Sequence, residues 1–176
     1  MISVPRGRLA ASGAAAICLT LPAVSSAAAQ AATGSVELRA SLIRGLAVSS
    51  EGPLSFGGII PSPTSVATIT VSPAGPVTSS LPVQAPSLRP AAPAPFRVIG
   101  QANALYLVSL PGSGVITSNG AEMALSDFTL AFPGGGGGQL DASGAQTFRV
   151  GATLTVGADQ APGEYVGAYT VTVRYQ

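Results

Sequence analysis

An all-β chain folded as an antiparallel two-sheet sandwich is what this sequence predicts, and three observations lead there. Apolar residues recur with period two in one short segment after another, the pattern of strands with one buried face. Gly and Pro clusters, and one Asn-Gly pair, separate these segments at turn-like spacing. Beyond residue 30 no stretch carries an apolar stripe of helical period.

The N-terminal segment stands outside that pattern. Arg6 and Arg8 precede a small-residue apolar run from Leu9 to Val24, and Ser25 to Ala29 supply small residues for an A-x-A-like cleavage site. This is the three-part organisation of a secretory signal peptide, and the run is too short to span a bilayer as an anchor. Residues 1–29 are therefore expected to be a signal peptide and 30–176 one domain. Cys18 lies between Ile17 and Leu19 inside the apolar run, which argues against a lipoprotein site.

The first strand is expected in SVELRASLIRGLAV. Val36, Leu38, Ala40, Leu42, Leu46 and Val48 share one face, and Glu37, Arg39 and Ser41 the other. Arg44 interrupts the apolar face, so a bend or bulge is expected near Gly45. LSFGGII (54–60) reads as a second strand with a kink at Gly57-Gly58. SVATITV (65–71) places Ala67, Ile69 and Val71 together, and Pro73 stops it.

Residues 73–95 carry seven prolines, which excludes a central strand. Two readings compete: an extended polyproline stretch, or a long inter-sheet connection with a short edge strand around Thr78 to Gln84. The second is preferred because strand-like segments of one domain flank it and wholly structureless inserts of this length are uncommon.

FRVIGQ (96–101), LYLVSL (105–110) and FTLAF (128–132) read as further strands. Asn119-Gly120 between two apolar runs predicts a two-residue hairpin. The five glycines of 134–138 form a loop tip; no lysine follows them, as a phosphate loop requires. QTFRVGATLTV (146–156) turns Phe148, Val150, Ala152, Leu154 and Val156 inward. After the turn chemistry of 157–163, the last ribbon aligns Tyr165, Gly167, Tyr169, Val171, Val173 and Tyr175 on one face.

Composition excludes several kinds of chemistry. The chain has no His, Lys or Trp, and its one Cys falls in the signal peptide. Zinc ligand sets, Ser-His and Cys-His nucleophile pairs and disulfides are thereby ruled out of the mature chain. Six arginines against seven acids leave the mature chain at −1, with no basic run to attract nucleic acid and no further apolar run long enough to cross a membrane. The acids are scattered singly and suit solubility, capping and turns. No enzyme, cofactor or metal is expected.

The last ribbon asks for a partner. Six inward groups gain on the order of 10 kcal/mol on burial, before chain entropy is subtracted. Left at a sheet edge, such a strand recruits another chain. Its partner is either the chain's own N-terminal strand or a strand supplied from outside.

At this point specific residues point to a family. L-x-F-G-x-I at Leu54, Phe56, Gly57 and Ile59, T-I-T-V at 68–71, F-T-L at 128–130 and F-R-V-G-A-T-L-T-V followed by G-E-Y-x-G-x-Y-T-V-T-V-x-Y resemble the bacterial family called domain of unknown function 4402. The resemblance spans nearly the whole mature chain. It implies a secreted, Ig-like β-sandwich of unsettled function and supplies no catalytic residues. A weaker likeness is to chaperone–usher pilus subunits, which typically end with a penultimate tyrosine and a glycine fourteen places from the end. Tyr175 and Gly163 hold those places. Many of those subunits carry a disulfide, which this chain cannot form.

The pilus likeness implies strand addition at the edge of the last ribbon, with residues 36–48 as the donor and copies of the chain or an envelope chaperone as partners. Gly163, Tyr165, Tyr169, Val171, Val173 and Tyr175, with Val36, Leu38, Ala40 and Leu42, are accordingly the candidate assembly residues. The expectation is thus an Ig-like antiparallel two-sheet β-sandwich with its signal peptide outside the fold, exported to the periplasm, outer cell surface or extracellular space. Its role would be structural or adhesive. The alternative is a self-contained periplasmic or secreted binding module whose ligand the sequence does not name.

Overall fold

The computed structural model describes residues 39–82 and 90–176. The signal peptide, Val36, Leu38 and the middle of the proline-rich connection lie outside the described residues. Ser41–Gln176 forms one compact unit. Its described residues contain nine strands and no helix: β1 (Ala47–Ser50), β2 (Ala67–Val71), β3 (Val77–Ser79), β4 (Ala94–Ile99), β5 (Tyr106–Ser109), β6 (Ser113–Ser118), β7 (Ala121–Ala131), β8 (Ala145–Val156) and β9 (Thr172–Tyr175). All pairings are antiparallel, and they make a seven-stranded sheet and a two-stranded one.

β8 organises the larger sheet. One of its edges pairs with β4 along residues 145–150 and then with β2 along 152–156, while the other edge pairs with β7. Gly151 sits at the handover between β4 and β2. A Cβ there would strike the Val71 carbonyl oxygen and approach the Pro73 nitrogen to 2.8 Å, so only glycine lets the two partners follow each other this closely. The predicted inward row of β8 is realised: Phe148, Val150, Ala152 and Leu154 are fully buried and Val156 nearly so.

Turn chemistry fixes the registers. Asn119 and Gly120 both take positive φ (47° and 88°) and close β6 onto β7 with Ser118 opposite Ala121, the two-residue hairpin expected of Asn-Gly. In β7 the register slips by one residue between Ser126 and Thr129, and Asp127 at φ 50° occupies the bulge. That single extra residue keeps Leu125 opposite Leu154 and Leu130 opposite Val150 on either side of the bend.

The core has two linked parts. Ile69, Val71, Met123, Leu125 and Leu154 fill one, with Phe56 closing it. Phe96, Val98, Tyr106, Leu140, Phe148 and Val150 fill the other, where Phe96 stacks on Phe148 at 5.2 Å. Tyr106 belongs to the smaller sheet and Phe148 to the larger, so the second cluster is the filling between the two layers.

Three expectations change. Residues 54–60 do not form a regular strand: Ser55 makes one isolated bridge to Ala92, and Gly57 turns the chain at φ 81°. Leu54, Phe56 and Ile59 still pack on the core from this irregular path. Among its described residues the N-terminal ribbon enters a ladder only at Ala47; Ala40 and Leu42 lie exposed outside any strand, whereas Leu46 and Val48 do turn toward the core. The edge strand expected near Thr78 is β3, but it lies in the same sheet as β4, so the proline-rich segment does not link strands of different sheets.

Candidate assembly edge

The C-terminal ribbon is the feature the sequence singled out. Beyond Gly163 the chain runs extended beside the β5–β6 stretch. Thr117 and Val166 exchange N–H···O bonds of 2.9 and 3.0 Å, and Tyr106↔Tyr175 through Ser109↔Thr172 make the β5–β9 ladder. Between these two anchors, residues 167–171 face the longer stretch 110–116, where Pro111 and Gly112 bend the neighbour. No ladder forms there.

The alternation expected of this ribbon holds at most of its positions. Tyr165 packs against the first core cluster, and Tyr169, Val171, Val173 and Tyr175 pack against the second. Gly167 is exposed, and a Cβ on it would strike the Val115 carbonyl oxygen; glycine there permits close approach of two backbones. A Cβ on Gly163 would strike the Ser118 side-chain hydroxyl, an intramolecular contact at the glycine singled out from sequence.

Backbone direction follows from the anchors. The N–H of Val166 donates to Thr117 and that of Gln176 donates to Leu105 at 3.2 Å, so even-numbered residues aim their N–H groups at β5–β6. In an extended chain the odd-numbered ones then point the opposite way. The N–H groups of Gly167, Tyr169, Val171, Val173 and Tyr175 therefore line the other edge, and no strand pairs there among the described residues.

Across that edge lies β1, whose outer side is likewise unpaired among the described residues. The two segments run in opposite directions: Arg44 and Leu46 meet Tyr175, whereas Phe96, the partner of Ser50, meets Tyr169 edge-on at 6.3 Å. A seam is thus bounded by the edges of two different sheets.

Tyr175 closes one end of the seam. Its hydroxyl donates to the Arg44 carbonyl (2.7 Å) and accepts from the Gln101 N–H (2.7 Å), while the Arg44 N–H donates to Gln101 Oε1 at 3.3 Å. The ring hydroxyl passes directly over Gly100, where a Cβ would collide with it. The sequence singles out Tyr175 and marks Arg44 only as a break in the apolar face, while Gly100 and Gln101 fall in the expected strand 96–101; no local signal carries the contacts these three make with Tyr175. Upstream of this knot, Leu42 is 93% and Ile43 69% exposed.

Two other phenols lie under the ribbon. Tyr169 sits against Phe128 at 5.2 Å with its hydroxyl buried and unbonded, and burial pushes its pKa up to about 12. Tyr106 is pushed up to about 12 by the same cause, and its hydroxyl donates to Gln146 Oε1 at 2.8 Å. Neither shows a partner that would make it a nucleophile. Among the described residues no group of three potential metal ligands occurs, and no helix is long and apolar enough to cross a membrane.

Comparison with known proteins identifies the family. Neither a curated protein nor a solved structure matches the chain at a significant level. A family model described as domain of unknown function (DUF4402) matches residues 46–175, from the root of β1 to Tyr175. That span covers most of the chain and the whole of the seam, and the chain belongs to the DUF4402 family.

Proposed function

We propose that this chain is an exported structural or adhesive protein of a Gram-negative-type cell surface that assembles by pairing strands at its C-terminal edge, in the manner of a pilus subunit. Assembly of this kind needs no chemistry. The observation that carries the reading is the row of N–H groups at Tyr169, Val171, Val173 and Tyr175, which no strand pairs among the described residues, on a ribbon whose side chains already face the core. An unprotected edge of this length accepts an extended segment, with backbone bonds giving affinity and alternate side chains giving fit. The signal-peptide pattern of residues 1–29 supports export, and with it envelope chaperones and other copies of the chain as the partners of this reading.

Size measurement over a concentration series tests the reading. The mature protein is expected to form ladders of assemblies or to require a chaperone for solubility. Val171→Pro removes one outward N–H without touching the β5–β9 ladder, and it is expected to leave a folded monomer. A wild-type protein that stays monomeric at every concentration would contradict the proposal.

A second reading has its own support. The core residues Phe148, Val150 and Leu154 are already fully buried without any added strand. This suits a self-contained binding module, and a monomer that keeps full stability alone would favour it.

A further inference from the structure

We infer that Asn119, at the tip of the β6–β7 hairpin, is a modification site: its side-chain amide converts spontaneously to a carboxyl, and the iso-linked product loosens the anchor at the start of the C-terminal ribbon. Three observations single the residue out. Asn119 and Gly120 are both exposed, and a Cβ on Gly120 would meet nothing within 4 Å, so no neighbouring group screens the peptide bond between them. The ladder ends with Ser118 opposite Ala121, which leaves the Gly120 N–H outside it. Among the described residues no hydrogen bond holds the Asn119 side-chain amide. The only other asparagine, Asn103, is a built-in comparison: it is exposed and takes φ 60°, but Ala104 follows it.

The chemistry follows from what adjoins the amide. The Gly120 nitrogen gives its proton to hydroxide and bonds to the side-chain carbonyl carbon of Asn119. The carbon–nitrogen bond of the side-chain amide breaks, and its nitrogen takes a proton from water and leaves as ammonia, closing a five-membered imide. Water then opens the ring. Attack at the side-chain carbonyl gives aspartate; attack at the main-chain carbonyl routes the backbone through the side chain and gives isoaspartate. The net change is amide plus water to carboxylic acid plus ammonia, with nothing oxidised or reduced. Glycine hinders the attacking nitrogen least, because it carries no Cβ.

The two products differ in what they do to the hairpin. Aspartate keeps it, since Asp-Gly suits the same turn as Asn-Gly. Isoaspartate adds a backbone atom to a two-residue loop, and loop length sets the register of the strands it joins. The pairs beside the tip take the displacement first. Thr117 there exchanges bonds of 2.9 and 3.0 Å with Val166, and a Cβ on Gly163 would strike the Ser118 hydroxyl. Both contacts hold the beginning of the C-terminal ribbon.

Peptide mapping of the wild-type protein, aged in buffers from neutral to alkaline, tests this. Aspartate and isoaspartate are expected at Asn119, forming at least about ten-fold faster than at Asn103, whose follower carries a Cβ, and faster at each higher pH. The isoaspartate fraction, separated from unaged protein, should show faster amide exchange at Thr117 and Val166, while Arg174 and Gln176 keep their protection. Asn119→Gly makes a Gly-Gly turn and should stop the conversion without altering exchange at Thr117 and Val166. No conversion at Asn119, or conversion no faster than at Asn103, would overturn the site. Unchanged exchange at Thr117 and Val166 in the isoaspartate fraction would overturn the loosened anchor.

Discussion

The hydroxyl of Tyr175 donates to the carbonyl of Arg44 at 2.7 Å, joining the penultimate residue to the chain just before β1 across 131 positions of sequence. The same oxygen accepts the Gln101 N–H. Tyr175→Phe keeps the ring over Gly100 and removes both bonds. Because these groups are open to water, the expected loss is about 0.5–1.5 kcal/mol, read as a lower urea midpoint. Gly100→Ala inserts a methyl beneath the hydroxyl and beside Leu46 and Leu140, with an expected cost of about 1–3 kcal/mol. The double variant should cost less than the sum, since removing the hydroxyl opens space for the methyl. Strict additivity would mean that the two do not touch.

Gly151 predicts a second stability effect. Its Cβ would meet the Val71 carbonyl oxygen and Pro73 nitrogen, and backbone cannot swing aside as a side chain does. Gly151→Ala should therefore destabilise by at least about 1–3 kcal/mol. Gly137→Ala, at a site with nothing within 4 Å, serves as the control and should change stability by less than about 1 kcal/mol. Equal effects in thermal unfolding would contradict the handover geometry at β8.

Alkaline stability is set by the buried phenols. Tyr106 and Tyr169 are each raised to about 12 from an ordinary value of 10.0. A folded-state pKa above the unfolded one gives stability that is complete below the unfolded value and lost as pH rises through the folded one. Stability should therefore fall between about pH 10 and 12. Tyr106→Phe should flatten part of that decline while losing the bond to Gln146. An unchanged alkaline slope in this variant would contradict the assignment.

The acid limb involves Asp141. Its carboxylate accepts from the Ser143 hydroxyl (2.6 Å) and from the Ser143 and Ala145 N–H groups (2.8 and 2.9 Å), and these bonds hold its pKa down, the Ser143 hydroxyl first. The sign is opposite to the phenols: the contribution is present above the unfolded carboxyl value and is lost as pH falls through the lower folded one. Asp141→Asn should flatten this limb, because its amide oxygen accepts the same bonds at every pH. Urea midpoints measured from pH 6 down to 2 check this, and an unaltered acid slope would count against it.

The all-β class, the inward row of β8 and the hairpin at Asn119-Gly120 were legible because each is a local signal: period two, or a turn residue at a fixed place. The inward set Tyr165, Tyr169, Val171, Val173 and Tyr175 was legible for the same reason. LSFGGII misled because its apolar residues do pack inward, while Gly57 takes the backbone out of the ladder. The upstream ribbon has the same alternation as a strand at Leu42, and alternation alone does not say whether a partner is present. Arg44, Gly100 and Gln101 were illegible because their roles come from the position of Tyr175, a contact that spans the domain.

Assembly by strand pairing depends on which edge of the C-terminal ribbon is available, and residue-resolved amide hydrogen exchange measures that directly. Compared between dilute monomer and assembled protein, the N–H groups of Val171, Val173 and Tyr175 should exchange quickly in the monomer and gain protection on assembly. Those of Arg174 and Gln176, already bonded toward β5, should change little. Odd-numbered amides that are slow in the monomer, or equally fast in both states, would contradict the claim.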